Sequence, residues 1–336
     1  MPPLVNLQQI ADAAGVHRST ASRALNPKYR EALSPELVLK VSVAAEELGY
    51  RPNAFAAGLR TRRSRLVGVL LPDIASPIFS RILGSITSEL SAEGLSALLM
   101  VGDSDAQIEQ SARHLLALQV EGVVIATART KDRHVSAFLA HEIPVVLAHR
   151  QETRLRATTV VSDNDSGVKA VVSHLGDLGH KRVGMVVGPQ NHSPGKRRAN
   201  IFKREAHRRG MDYGIAVAKD WSVESGRAGA VKLLEGHPSL TAIFAGNDMM
   251  AFGVLEELAA RGLSCPRDVS VVGYNDMPFS SMVSPPLTTV SVDLADLGRR
   301  VAVQLLARIH DHGRPPQLTV VPVQLVVRAS TARVRA

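Results

Sequence analysis

The start of the chain shows apolar residues at spacings of three and four, which is typical of short amphipathic helices. Leu7, Ile10, Ala11 and Ala14 would share one helix face. Asn6 precedes them at the position of an N-cap, where its side chain can accept the free backbone N–H groups. The pattern predicts a first helix that begins at Leu7.

A second helix is predicted close behind the first. Gly15 permits a tight turn because it accepts a positive φ without a Cβ clash. From His17 onward, Ala21 and Ala24 face inward, which gives a helix–turn–helix over Leu7–Leu25. The outward residues carry groups that reach base edges and phosphates, and they are Arg18, Ser19, Thr20, Ser22 and Arg23.

A third helix is indicated by its start and stop residues. Ser34 is a cap, Pro35 occupies the first turn where a missing N–H is harmless, and Gly49 ends the segment. The inward stripe consists of Leu37, Val41, Ala44, Ala45 and Leu48. Three short helices in about fifty residues predict a small head that reads DNA.

The rest of the chain alternates continuous apolar runs with helical patterns. The strand-like runs are Leu66–Leu71, Ala97–Val101, Gly122–Ala126, Pro144–Ala148, Thr159–Ser162, Arg182–Gly188, Ala242–Ala245, Val269–Gly273 and Leu318–Val327. The helical patterns are Phe79–Glu93, Ile108–Leu118, Asp165–Leu178, Arg198–Arg209, Ser225–Leu234, Met249–Arg261 and Leu294–His310. This alternation predicts an α/β body with parallel, doubly wound sheets covered by helices on both faces.

Three runs of residues in and after the head form a combined motif. They are Leu7–Val16, Ser22–Asn26 and Leu48–Ala54. Together they resemble the head and hinge of the lactose-repressor (LacI/GalR) family of bacterial transcription regulators, and further matches extend to about residue 330. The resemblance and the outward residues predict contacts with double-stranded DNA from His17, Arg18, Ser19, Thr20, Ser22, Arg23, Asn26, Tyr50, Asn53, Ala56 and Leu59.

The segment Asn53–Arg60 is predicted to be a marginal helix. It is about two turns long and contains Gly58, and so short a helix is unstable alone in water. We therefore expect it to be helical only when something holds it. The resemblance implies that two such helices of a homodimer pair in the minor groove, with Leu59 as the wedge between base steps. The alternative is a small core contact of Leu59 beneath the head.

Positive charge is concentrated at this end of the chain. The protein has 40 Lys and Arg against 31 Asp and Glu, which gives a net charge of +9. Residues 1–65 hold ten of the cations and five of the anions, so about a fifth of the length carries more than half of the excess. Such asymmetry indicates a phosphate backbone as partner.

Several other classes of protein find no support in the sequence. The single cysteine, Cys265, excludes a disulfide framework and fits a reducing compartment. We see no signal-peptide pattern and no apolar run of ~18 residues, and therefore expect a cytoplasmic, nucleoid-associated bacterial protein without a membrane partner. No dinucleotide or nucleophile-elbow motif and no convincing metal-ligand spacing is present, so we expect no catalysis, cofactor or metal.

A ligand cleft between two lobes is the positive alternative to an enzyme site, because doubly wound sheets bind small molecules at the carboxyl ends of their strands. The candidate effector-binding residues are Asp73, Phe79, His149, Arg198, Trp221, Asn247 and Asn275. By resemblance, four of them match positions that contact the effector in relatives: Arg198, Trp221, Asn247 and Asn275. Simpler roles stay open, since Asp220 or Asp248 could cap a helix and Trp221 could belong to the core.

Departures from the family pattern bear on the ligand. His149 stands where sugar-binding relatives usually have an aspartate, Asn275 replaces a second aspartate, and Ile201 takes the place of a glycine. Two acids lost and one imidazole gained shift the cleft toward positive charge. We therefore expect an effector that carries a carboxylate or phosphate, such as a sugar acid or an aromatic or organic acid, rather than a neutral sugar.

We expect three parts: a head at residues 1–50, a hinge at 51–65, and an effector-binding and dimerisation body at 66–330. The resemblance implies that the chain crosses between two lobes near residues 162, 290 and 319. The first lobe would then comprise about 66–162 and 291–318, and the second 163–290 and 319–330. The expected function is a ligand-responsive transcriptional repressor that binds a palindromic operator as a homodimer. The alternatives are a solute-binding protein of transport, which would lack the head, and an enzyme that carries one.

Overall fold

The computed structural model describes residues 5–26, 29–50, 64–129 and 132–335. The chain divides into two units, a head formed by Met1–Arg63 and a body formed by Ser64–Ala336. The predicted hinge contacts Asn53, Ala56 and Leu59 lie outside the described residues.

The described part of the head has three helices and one 3-10 turn. They are Leu7–Ala13, Arg18–Ala24, the turn Arg30–Ala32, and Pro35–Glu47. Asn6 caps the first helix, and Gln9 reaches back to the Asn6 backbone N–H, which completes a capping box. Gly15 has a φ of 59° between the first two helices, as the sequence predicts. Ser34 caps the third helix through the Leu37 N–H.

A small apolar core joins the three helices. Ile10, Ala11, Ala21 and Val41 are fully buried in it. Leu48 was expected in the inward stripe of the third helix, but it is 39% exposed. It follows the last helical residue, beyond the reach of the core, and Tyr50 packs there instead.

The described body contains two sheets of six strands each. The strands are β1 Leu66–Leu71, β2 Ser96–Val101, β3 Gly122–Ile125, β4 Val145–Ala148, β5 Thr158–Ser162, β6 Arg182–Val187, β7 Asp212–Val217, β8 Ala242–Ala245, β9 Ser270–Asn275, β10 Thr288–Val292, β11 Leu318–Val321 and β12 Val323–Val326. The first sheet has the order β11-β5-β4-β3-β1-β2 and is parallel throughout. The second has the order β12-β10-β9-β8-β6-β7, in which β12 is antiparallel to β10.

Helices cover both sheets, and the predicted doubly wound α/β class is confirmed. They are Pro77–Ala92, Asp105–Ala117, Arg133–Leu139, Asn164–Asp177, Ser193–Arg208, Val223–Gly236, Asp248–Ala260 and Leu294–His310, with a 3-10 turn at Pro278–Ser281. The strands β7 and β10 and the helix Arg133–Leu139 were not in the predicted set. β10 reads Thr-Thr-Val-Ser-Val, so its burial is not evident from its side chains. None of the helices described here has the length and apolar character needed to span a bilayer.

The chain passes between the two sheets at three points. Val321 pairs with Ser162 in the first sheet, and Val323 pairs with Val292 in the second. Residues 319–321 therefore lie in the first lobe and residues 291–292 in the second, two or three residues from the predicted limits. The run that the sequence predicts as one strand is two, separated at Pro322, because proline has no N–H to donate to a ladder.

The other two passages share one local structure. Asp163 follows β5 with φ −71° and ψ 82°, and Asp293 follows β10 with φ −72° and ψ 88°. Each aspartate caps the next helix by accepting a backbone N–H, from Ser166 and Asp296 respectively. These two passages, one leaving each lobe, therefore begin with the same turn and the same helix cap.

Candidate functional site

The second helix of the head has a polar outer face. Arg18, Ser19 and Arg23 are exposed, while Ala21 and Ala24 on the opposite side are buried. The remaining predicted DNA contacts of this segment are half-buried, and they are Thr20, Ser22 and Asn26. Exposed guanidinium and hydroxyl groups on one helix face are suited to contact base edges and phosphates.

His17 lies at the start of this helix and caps it. Its Nδ1 accepts the Ser19 backbone N–H at 3.3 Å and lies 2.7 Å from Ser19 Oγ. A contact between His17 and DNA would therefore use Nε2 of the exposed ring. Tyr50 is half-buried against the head core, so its described role is in packing, and its contact with DNA stays a prediction.

A cavity of about 500 Å³ lies between the two lobes of the body. Its lining includes all seven predicted effector residues: Asp73, Phe79 and His149 from the first lobe, and Arg198, Trp221, Asn247 and Asn275 from the second. Sequence reasoning missed Arg150 and Asp103, which also line it. Both follow strands, β4 and β2, so the rule that selected the others could have found them.

Arg198 is a buried cation in the wall of the second lobe. Its helix begins at Ser193, earlier than predicted, because Pro194 fits the first turn. The Arg198 Nε donates to Asn164 Oδ1 at 2.7 Å and Nη1 to the Gly246 carbonyl at 2.5 Å. The guanidinium lies over the Tyr274 ring, 3.5 Å from its centroid, where the ring attracts a cation. Nη2 is buried and has no partner in the described structure.

Asn247 and Trp221 are fixed relative to each other. Asn247 caps the helix Asp248–Ala260 by accepting the Met250 N–H at 2.8 Å, and its Nδ2 donates to the Trp221 carbonyl at 3.1 Å. The Trp221 Nε1 donates to Nδ1 of His192 at 3.3 Å. Because both ends of its amide are engaged, Asn247 positions Trp221 whatever else it contacts.

Two glycines allow the helices behind this wall to cross in close contact. A Cβ at Gly226 would lie 2.2 Å from the Met250 carbonyl oxygen, and one at Gly253 would lie 1.9 Å from that of Val223. Larger residues would push the helices Val223–Gly236 and Asp248–Ala260 apart. The positions of Trp221 and Asn247, at the start of these helices, depend on this contact.

Asn275 lies on a strained turn at the end of β9. Its φ is 104° and that of Asp276 is 54°, a region that residues other than glycine adopt at some cost. Both amide atoms of Asn275 are buried without a partner in the described structure. Strain and unsatisfied polar atoms together are typical of a ligand site.

Asp248 holds the turn that carries Asn275. Its carboxylate accepts the Met277 N–H at 2.7 Å and the Thr289 hydroxyl at 2.5 Å. Burial raises the pKa of this carboxyl to about 6. The sequence left open whether Asp248 or Asp220 caps a helix. Asn247 caps the helix that begins at Asp248, and Asp220 accepts hydrogen bonds from the N–H and hydroxyl of Ser222, the cap of the preceding helix.

His149 is a neutral group of the first lobe. Its φ is 65°, its ring lies edge-on to Phe79 with centroids 6.0 Å apart, and its buried Nδ1 has no described partner. Burial, followed by the charges of Arg198 and Arg150, lowers the pKa of this imidazole to about 3. The expectation that the imidazole adds positive charge is therefore wrong. The cations of the cavity are the two guanidiniums.

The carboxylates of the first lobe lie at the exposed edge of the cavity. Asp73 is exposed, and its Oδ1 accepts the Ala75 N–H of its own turn at 2.8 Å. Asp103 is also exposed. Within the described ranges, no group of three or more His, Cys, Asp or Glu could hold a metal ion.

Comparisons with known proteins agree with this architecture. Residues 6–53 match the profile of bacterial regulatory proteins of the lacI family, and residues 172–331 match that of periplasmic binding protein-like domains. The chain is 31% identical over 311 residues to Catabolite control protein A of Priestia megaterium, covering 90% of this chain and 92% of that protein. It is 29% identical to the Ribose operon repressor of Bacillus subtilis (strain 168), covering 98% and 99%.

Solved structures give the same result. The Lac repressor bound to ONPG in the repressed state matches with a TM-score of 0.89 at 28% identity, covering 98% of this chain and 100% of that one. The complex of the transcriptional regulator CelR with cellobiose matches with a TM-score of 0.75 at 29% identity, covering 97% and 99%. A helix–turn–helix head on a body of this fold defines a class of DNA-binding regulators. The chain belongs to the lacI family of bacterial regulatory proteins, which confirms the resemblance in its sequence.

Proposed function

We propose that this protein is a homodimeric transcriptional repressor that binds a palindromic operator and changes its DNA affinity when a small polar metabolite enters the interlobe cavity. The observation that carries the proposal is the presence, in one chain, of an exposed Arg18/Arg23 helix face and a cavity with unpartnered buried polar atoms. Three of the residues with such atoms, Arg198, His149 and Asn275, line the same cavity, which favours a ligand as the missing partner.

Relatives support both halves of the proposal. The matched structures include a Lac repressor dimer bound to operator and a CelR–cellobiose complex. A two-fold symmetric dimer fits an inverted-repeat site, since each head can then contact one half-site. The relatives named above are regulators rather than enzymes, and we propose the same for this chain, acting on DNA in the bacterial cytoplasm.

Ligand and DNA are coupled in this proposal through the arrangement of the lobes. A ligand shifts DNA binding only by its difference in affinity for the two arrangements, so it raises or lowers operator affinity according to which it favours. The segment Asn53–Arg60, which the sequence predicts to be a marginal helix, would link the two events, because such a helix is easily stabilised or lost.

Selection from random duplexes tests the proposal without a known operator. Full-length protein should enrich inverted repeats over random competitor at moderate salt, and sedimentation should give a dimer. Failure to enrich any repeat, with a monomer in solution, would contradict it. Titration of metabolites into the selected complex should then identify compounds that change its affinity.

Arg18→Ala tests base readout. We expect lost preference at one operator position, because an arginine bidentate to guanine contributes about 1–3 kcal/mol of discrimination. Arg62→Ala, placed by sequence in the basic linker, should instead weaken all duplexes alike and flatten the salt dependence. Competition binding against single-base operator variants distinguishes the two. If Arg18→Ala lowers affinity equally for every variant, Arg18 contacts only phosphate.

A further inference from the structure

Arg150 is a buried cation whose nearest carboxylate, that of Asp103, is itself half exposed to solvent. It is 4% exposed and lines the cavity after β4. Its Nη1 donates to the Thr127 carbonyl at 3.2 Å and lies 3.4 Å from Nε2 of His192, which belongs to the second lobe. The Asp103 carboxylate is 3.7 Å away, beyond hydrogen-bond distance, and it is half exposed to solvent.

His192 cannot satisfy both of its neighbours. Arg150 approaches its Nε2 and Trp221 approaches its Nδ1, and both neighbours are obligate donors. Burial, followed by the charges of Arg150 and Arg129, lowers the pKa of His192 to about 3, so the ring is neutral. A neutral imidazole has one lone pair on nitrogen and one N–H. Only one of the two contacts is therefore a hydrogen bond at any moment.

A second buried cation faces the same cavity from the other lobe. The Nη2 of Arg198 has no partner in the described structure. The charge of Asp248 acts on Arg198, but their side chains form no hydrogen bond or ion pair among the described residues. Burying a charge without a counter-ion costs free energy that an anionic ligand would recover. The cavity therefore has on each side a buried guanidinium that makes no hydrogen bond to a carboxylate among the described residues.

We propose that the ligand carries a carboxylate that is bound by Arg150, and that Arg150 determines specificity for acids over neutral analogues. This rests on the proposed function, and it deepens that function by naming the chemical class of ligand. The carboxylate supplies the acceptor that His192 cannot offer to both donors. When the ligand carboxylate accepts the hydrogen bond of Arg150, the nitrogen lone pair of His192 is free to accept the indole N–H of Trp221. Arg198 then donates to further acceptor atoms of the same ligand.

Matched acid and neutral probes test the proposal on the full chain. We would use glucuronate against glucose, galacturonate against galactose, benzoate against benzyl alcohol, and acetate against equimolar chloride. At least one acid should raise the unfolding temperature and change the fluorescence of Trp221, the single tryptophan of the chain, while its neutral partner does neither. The fluorescence of Trp221 reports on the hydrogen bonding of His192, because ligand binding frees His192 to accept the indole N–H.

Three variants separate a binding role from a structural one. Arg150→Met should weaken the acid at least tenfold and raise the ligand-free unfolding temperature by about 2 °C, because a buried charge is removed whose carboxylate neighbour, Asp103, is half exposed and can be solvated. Arg113→Met is the charge-matched control, since the exposed Arg113 pairs with Glu109 on the helix Asp105–Ala117, away from the cavity lining, and should leave probe affinity unchanged. His192→Gln offers a carbonyl that accepts from both donors, so the ligand should no longer change Trp221 fluorescence.

Three results would overturn the assignment. Neutral probes that bind as tightly as the acids would show that charge is not recognised. An Arg150→Met protein with a lower unfolding temperature and unchanged probe affinity would show that Arg150 only stabilises the contact between the lobes. If no acid has an effect while an inverted repeat is still bound, the anion assignment fails and the operator half of the proposed function stands. Loss of both would reject the proposed function itself.

Discussion

In the second lobe, the cavity residues Arg198 and Asn247 are held by hydrogen bonds within that lobe, whereas in the first lobe the polar cavity residues Asp73, His149 and Arg150 lie on loops. Arg198 is bonded to Asn164 and Gly246, and Asn247 is bonded at both ends of its amide. In the first lobe, Asp73 bonds only within its own turn in the described hydrogen bonds, and Arg150 reaches across to His192. The second lobe is therefore the more preformed wall of the cavity.

Gly253→Val should have the largest effect, which is a lower stability of the second lobe. Its Cβ would lie 1.9 Å from the Val223 carbonyl oxygen, so the two helices must separate. We expect the free energy of unfolding to fall by about 3 kcal/mol or more. Gly236→Ala is the control, because its Cβ would meet nothing within 4 Å, and it should change stability by less than about 1 kcal/mol. Chemical denaturation of both variants measures the difference, and equal losses would contradict the role of the close crossing.

Arg198→Met should remove most of the ligand affinity. The guanidinium is buried in the cavity wall with Nη2 unpartnered, so any acceptor of the ligand loses a charged donor. We expect about a 100-fold weaker affinity for the best acid of the probe panel, or about 3 kcal/mol by calorimetry. Arg197→Met removes the neighbouring charge on the exposed side, where Arg197 pairs with Asp165, and should change affinity less than about twofold. Similar losses in both would mean that only net charge matters.

Asp248 should make the second lobe less stable as the pH rises. Its pKa is raised from the ordinary value to about 6 when folded, so between pH 4 and 6 the unfolded chain ionises first. The stability of the wild-type protein relative to Asp248→Asn should therefore fall by about 2 kcal/mol from pH 4 to pH 7 and then stay level. Unfolding curves of both proteins at each pH provide the test. A constant difference would show that Asp248 has an ordinary pKa.

Asp73→Asn should have the smallest effect. An asparagine keeps the oxygen that accepts the Ala75 N–H, so the turn and the unfolding temperature should not change. Loss of one exposed negative charge near the cavity should tighten an acidic ligand by no more than about threefold at physiological salt. A loss of affinity of tenfold or more would mean that Asp73 contacts the ligand directly and that the first lobe is as preformed as the second.

Local physics explains which features could be predicted from the sequence. The caps Asn6 and Ser34 act on neighbouring N–H groups, and a polar residue after a buried strand lies at the sheet edge wherever the other lobe is. Arg150 follows β4 and fits the same rule, but its contact with His192, which lies 42 residues away and in the other lobe, is not evident from the local sequence. The neutrality of His149 likewise comes from burial and from Arg198, neither of which the local sequence shows.

The three passages between the sheets lie on neighbouring strands, since β5 adjoins β11 and β10 adjoins β12. A row of connected segments bends readily about the line that joins them. It resists twisting, because a twist would require each segment to change its span by a different amount. We therefore expect the two lobes to rotate more easily about that line than about any other. If the proposed ligand is bound, its size as well as its charge would set the angle between the lobes.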